Sequence, residues 1–199
     1  MRVLGPPSER PGFAEAADAL LRGEQPPLPE PRVEFLRWLG ANRPVVFHGS
    51  QRNDITELST ERKSRDATQF GNQTAVYATS DPVWAIYFAV LRRDGGWRGT
   101  RNGSMGIGRG RYYFFAHNRG SESTERFGPG SLYLLPPDTF EAQPPLLGRI
   151  DLAHLVSRVS VTPARASRRD AGGLPLPQRG GLLPRPRADL GDDVPPRLD

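Results

Sequence analysis

Apolar and polar positions along the chain predict a run of short elements. Phe13 to Arg22 (FAEAADALLR) carries apolar residues at helical spacing among good helix formers, and Gly23 supplies a stop. The proline-rich stretch GEQPPLPEP follows as a stiff connector. Val33 to Leu39 (VEFLRWL) places Phe35, Leu36 and Leu39 on one side of a second helix, flanked by Trp38 and closed by Gly40 and Pro44. The pattern then changes. Pro44-Val45-Val46-Phe47 is a short, wholly apolar run of the kind a buried strand gives, with His48-Gly49-Ser50 at its end. A polar loop covers Gln51 to Thr74, and Ala75 to Ala78 reads as a second strand. Thr79-Ser80-Asp81-Pro82 is a helix start, with Ser80 or Asp81 as cap and Pro82 near the first helical position. Val83 to Leu91 (VWAIYFAVL) is apolar all round, so a deeply buried helix is expected, with Arg92 and Arg93 at its C-terminal end.

Three further strands are expected: Arg111 to Ala116 (RYYFFA), Ser131 to Leu135 (SLYLL), stopped by Pro136-Pro137, and the alternating His154 to Thr162. Arg92 to Gly110 holds seven glycines and five arginines and reads as a mobile loop or long turn. Its functional alternative is a cover or a phosphate clamp. From Pro163 to Asp199 there is no periodicity. Seven prolines and five glycines in 37 residues give too little apolar area to offset the entropy of ordering, so a disordered tail is expected. The expected organisation is an N-terminal helical segment (1–43), one domain (44–163) and a Pro/Gly/Arg-rich tail (164–199). The fold class is α+β.

Composition narrows the chemistry. The 199 residues include no cysteine, which rules out a disulfide scaffold, a Cys-ligated metal and a thiol nucleophile. Of 27 basic residues only Lys63 is lysine. The net charge of +5 is dispersed, +2 on Pro163–Asp199 and +3 on the rest, so nucleic acid is permitted as a partner but not demanded. No apolar run approaches the ~18 residues of a membrane span, and MRVLGPPSERPGF lacks a signal peptide's apolar stretch. A cytoplasmic monomer without membrane attachment is the expectation. Gly106, Gly108 and Gly110 do not make a GxGxxG fingerprint, there is no P-loop, and His48, His117 and His154 lack metal-ligand spacing.

One ordered set of motifs remains. Phe47-His48-Gly49-Ser50 is followed about twenty residues later by Phe70-Gly71, then by Val76-Tyr77-Ala78, then by Ala85-Ile86-Tyr87. In this order they resemble the first-strand HGS, the FG, the tyrosine-bearing strand and the "ANY" helix of the ADP-ribosyltransferases of the diphtheria-toxin and poly(ADP-ribose) polymerase type. The Tyr77–Tyr87 interval is one residue shorter than the family pattern. The resemblance implies an ADP-ribosyltransferase-like domain with a split mixed or antiparallel sheet, binding NAD as substrate and transferring ADP-ribose to a protein, nucleic-acid or small-molecule acceptor with release of nicotinamide. It implies that Tyr77 and Tyr87 sandwich the nicotinamide while His48, Gly49 and Ser50 orient NAD. The physical logic is consistent: a flat, electron-poor ring with a carboxamide suits aromatic faces plus a backbone donor and acceptor, and glycine allows a close approach.

The family's glutamate is missing from its place. The matching position is Ser131 or Gly130. Glu141, just beyond that strand, is the best candidate for the catalytic carboxylate, ahead of Glu122 and Glu125 in the preceding loop. The departure keeps two alternatives open, an inactive NAD- or ADP-ribose-binding module and a toxin effector of NAD-glycohydrolase type. Removal of an RNA 2′-phosphate ranks lower, because no matching arginine motif accompanies His48. Each residue also has a bland role. The tyrosines and Trp84 would be core packing, His48 a satisfied histidine, Gly49 a turn glycine and Glu141 a solvated acid.

Overall fold

The computed structural model describes residues 2–61, 70–93, 99–117, 127–164 and 174–176. Among these, the elements in chain order are β1 (Arg2–Leu4), α1 (Phe13–Leu21), α2 (Arg32–Asn42), β2 (Val46–Ser50), β3 (Val76–Thr79), α3 (Pro82–Val90), β4 (Thr100–Ile107), β5 (Gly110–His117), β6 (Gly130–Leu135), β7 (Phe140–Ala142), β8 (His154–Ser157) and β9 (Leu174–Leu176). The class is α+β. The strands form a six-stranded sheet, ordered β7-β8-β3-β2-β6-β9, and a three-stranded sheet, ordered β1-β5-β4. Every ladder between named strands is antiparallel, which decides between the mixed and antiparallel alternatives.

Helix α3 packs on the larger sheet and is bonded through side chains to β4 of the smaller one, which is why its sequence is apolar all round. Asp81 caps it by accepting from the Val83 N–H at 3.0 Å, and Pro82 opens it. Two glycines let the helix settle on the larger sheet. A Cβ at Gly49 would lie 1.9 Å from the Ala85 carbonyl oxygen, and one at Gly130 would lie 2.1 Å from that of Ala89. Phe47, Leu132 and Leu134 complete that face and share one core with Phe13, Phe35, Leu36 and Leu39 of α1 and α2 and with Ile86. The opposite face carries Val46, Val76, Ala78, Tyr133 and Leu135, covered in part by Ile55, Leu58 and Val161. Burying these apolar side chains is the main source of stability.

The other side of α3 is bonded to β4 in a regular way. Tyr87 Oη meets Thr100 Oγ1 at 2.5 Å, the Trp84 indole N–H donates to Asn102 at 2.7 Å, and Ser104 donates to Asp81 at 2.5 Å. Steps of three along the helix match steps of two along the strand, since both return to the same face.

Several expectations are corrected. The strand expected to end at Phe47 runs on through His48-Gly49-Ser50, paired with β6 as far as Ser50↔Ser131. The glycine-rich segment expected to be a loop forms β4 over Thr100–Ile107. Its glycines serve close contacts: a Cβ at Gly103 would sit 2.5 Å from Phe114 Cε1. The strand expected over His154–Thr162 stops at Ser157, and Val161 makes an isolated bridge to Leu58. Strands β1, β7 and β9 add to those the sequence pattern predicts. β9 pairs with β6, so the segment read as tail contributes a strand. The rest of the tail reading, from residue 165 on, lies outside the described residues, as do Glu122 and Glu125. No helix among the described residues is long and apolar enough to cross a membrane.

Candidate functional site

The larger sheet is nearly divided between β2 and β3. These strands share the single pair Phe47↔Thr79. Beyond it, Gly49 and Ser50 pair with Leu132 and Ser131 of β6, while Val76, Tyr77 and Ala78 pair with Ser157, Val156 and Leu155 of β8. The two halves diverge where the motif residues stand.

The pleat sorts those residues. Gly49 faces α3, whereas His48 and Ser50 lie on the face of Val46 and Tyr133. His48 bridges the divergence. Its Nδ1–H donates to the Tyr77 carbonyl at 2.7 Å, because a carbonyl can only accept. Ser50 Oγ accepts from the Arg52 N–H at 3.2 Å.

Tyr77 and the Phe70-Gly71 pair come together. The Tyr77 hydroxyl lies between the carbonyls of Gly71 (2.9 Å) and Gln73 (2.7 Å) and accepts from the Gln73 N–H (2.7 Å). His154 is the hub of the aromatic side chains here. Its ring is 5.3 Å from Phe70, 5.5 Å from Tyr77 and 5.7 Å from Trp84. Gln143 Oε1 lies 3.2 Å from its Nδ1. Nothing local in the sequence marked His154 for this place. The register Thr79↔His154 puts it there.

Tyr87 is placed differently from the expectation of a second nicotinamide wall. It is fully buried and stacks on Phe115 at 4.2 Å between centroids. Burial pushes its hydroxyl pKa up, against the bond to Thr100. Tyr77 and Tyr87 therefore stand at two points of one run of ring contacts, Tyr77–His154–Trp84–Phe88–Tyr87–Phe115, rather than as opposed walls of one slot.

Glu141 lies on the edge strand β7, opposite Val156, which is itself opposite Tyr77. Partners in one cross-strand row share a face, so Glu141 and Tyr77 are on the same side, about 10 Å apart by strand spacing. Glu141 is exposed and lies 3.6 Å from Arg158. Ser131, one of the two residues that the resemblance sets against the missing acid, is buried and paired with Ser50.

A polar thread with no local signature in the sequence beyond its helix cap lies beside this site. Asp81, 3% exposed, accepts from Val83, Ser104 and the Tyr113 hydroxyl (3.1 Å). Arg111 donates to Ser104 at 3.0 Å and pairs with Asp151. Burial raises the Asp81 pKa, opposed by its hydrogen bonds and by the Arg111 charge. Burial, followed by the neighbouring Asp81 charge, pushes the Tyr113 hydroxyl well above its ordinary value. The one signal available was the cap motif at Asp81, which says nothing of its long-range partners.

Compared with protein-family models, curated proteins and solved structures, the chain matches none.

Proposed function

We propose that the chain binds NAD where β2 and β3 part and transfers its ADP-ribose to an acceptor, releasing nicotinamide. The observation that carries this reading is the single β2–β3 pair, with His48 reaching across the divergence to the Tyr77 carbonyl. A gap between two strands exposes backbone N–H and C=O groups, which a carboxamide can pair with. Tyr77, set among Phe70 and His154, offers an aromatic face to the pyridinium. Tyr77 and Glu141 stand on the α3 face of the sheet and His48 and Ser50 on the other, so the ligand passes through the divergence, where the His48 Nε2 accepts from a ribose hydroxyl and the Ser50 hydroxyl serves the carboxamide. Tyr87, closed in by Phe115, acts through the packing of α3.

Nicotinamide leaves with the electron pair of the glycosidic C–N bond, which puts positive charge on the ribose. Glu141, on the Tyr77 face, is the carboxylate assigned to stabilise that charge and to take the acceptor's proton as the new bond forms. The buried Ser131 favours a second reading, in which the site binds NAD or ADP-ribose without transfer.

Incubation with NAD labelled in the nicotinamide and in the adenosine part separates these outcomes. Transfer predicts released nicotinamide and a labelled acceptor, with release reduced about a hundredfold in Glu141→Gln. Saturable binding without release establishes the binding module. Absence of both overturns the reading.

A further inference from the structure

We infer that a second cleft, away from the β2–β3 divergence, binds a small phosphate-bearing molecule. The cleft has a volume of about 290 Å³ and lies between residues 5–7, α2, the β4–β5 turn and residues 149–151. No residue of β2 or β3 lines it, so the inference does not rest on the NAD reading. Four arginines line it, Arg37, Arg109, Arg111 and Arg149, against one acid, Asp151. Like charges gathered in a cleft repel one another, and an anion relieves that repulsion.

The arginines are held by built structure. Arg109 sits in the two-residue turn between the paired Ile107 and Gly110, with Gly108 at φ 57°. Arg149 sits in the turn closed by the Leu146 and Ile150 backbones, at 2.9 and 3.0 Å. In that turn Leu147 holds φ 51°, a left-handed conformation costly for a branched side chain, while remaining 86% exposed. Gly106 and Asp151 clamp the two turns together through reciprocal backbone bonds of 2.6 and 3.0 Å. A Cβ at Gly106 would meet Arg111 Nη2 at 2.9 Å, so glycine leaves room for the guanidinium. Arg37 is tied to the Gly5 carbonyl, and Arg111 to Ser104 and Asp151. Arg109 and Arg149 have no carboxylate partner among the described residues. Two arginines thus have their backbones set by tight turns at the cleft, and two more are tied to the protein by their own hydrogen bonds, so that guanidinium forks of the kind that take phosphate oxygens line it together. The small volume suits a terminal phosphate or pyrophosphate rather than a polymer backbone.

The test is calorimetric titration of the full chain with inorganic pyrophosphate at constant ionic strength. Saturable one-site binding is expected, weakened about tenfold or more in Arg109→Ala/Arg149→Ala. Both side chains are exposed, so the variant should fold, which circular dichroism checks. Arg101→Ala, on an exposed arginine outside the cleft, and Tyr77→Ala, in the other site, should leave pyrophosphate binding unchanged. Failure of wild type to saturate overturns the inference, as does equal weakening by Arg101→Ala. Displacement of pyrophosphate by a single-stranded RNA lacking terminal phosphates assigns the surface to a nucleic-acid backbone and overturns it as well.

Discussion

Gly49 and Ala85 approach so closely that a methyl group on Gly49 would lie 1.9 Å from the Ala85 carbonyl oxygen. The glycine of the His-Gly-Ser motif is therefore fixed by the helix that crosses it. Backbone cannot yield as a flexible side chain can, so Gly49→Ala must displace α3. Overpacking of this kind costs about 1–3 kcal/mol or more. At about 2–4 °C per kcal/mol for a chain of this size, thermal denaturation should show a midpoint lowered by several degrees. Gly5→Ala, with nothing within 4 Å of its added carbon, should leave the midpoint in place.

Asp81 predicts a pH dependence. Burial raises its pKa in the folded state above the ordinary 3.8, so the native protein holds this proton more tightly than the unfolded chain. By linkage the contribution is full below the unfolded value and is lost as pH rises through the folded one. Asp81→Asn keeps a capping side chain and removes the titration. The midpoint of Asp81→Asn relative to wild type should therefore rise between pH 4 and pH 7 in thermal melts. A flat or falling difference would contradict the assignment.

The bond from Trp84 to Asn102 joins α3 to β4. Asn102→Ala leaves the half-buried indole N–H without its acceptor, at a cost of about 1–3 kcal/mol. Urea denaturation should show a lower midpoint with an unchanged slope.

Tyr77 holds the segment before β3 through its hydroxyl. Tyr77→Phe keeps the ring against His154 and removes the bonds to Gly71 and Gln73. Hydrogen exchange should quicken at the Gln73 amide, with protection kept at Val76–Thr79. Equal loss in both places would show that the hydroxyl supports the whole strand.

The elements that could be read in advance were those whose own residues decide them. Asp81-Pro82 set the start of α3, and its unbroken apolar run announced burial on all sides. The misjudged segments depended on distant partners. β4 looks like a glycine-rich loop until Phe114 and Arg111 of β5 are seen to need the space at Gly103 and Gly106. β9 needs the edge of β6 before Leu174–Leu176 becomes a strand. The same division holds at the site. The motif residues His48 and Tyr77 do meet, through a bond the spacing could not specify. His154 and Arg111 reached their places only through sheet register and long-range bonding. The placement of Tyr87 beneath Phe115 had no local signal, because an aromatic on an apolar helix can face either a cleft or a second sheet.

The central claim is that NAD binds between β2 and β3, and calorimetric titration with NAD tests it most directly. Wild type should bind one equivalent saturably. His48→Ala and Tyr77→Ala should each lower the affinity about tenfold or more while circular dichroism shows the fold retained. Absence of saturable NAD binding to wild type, or binding indifferent to both substitutions, would contradict the account.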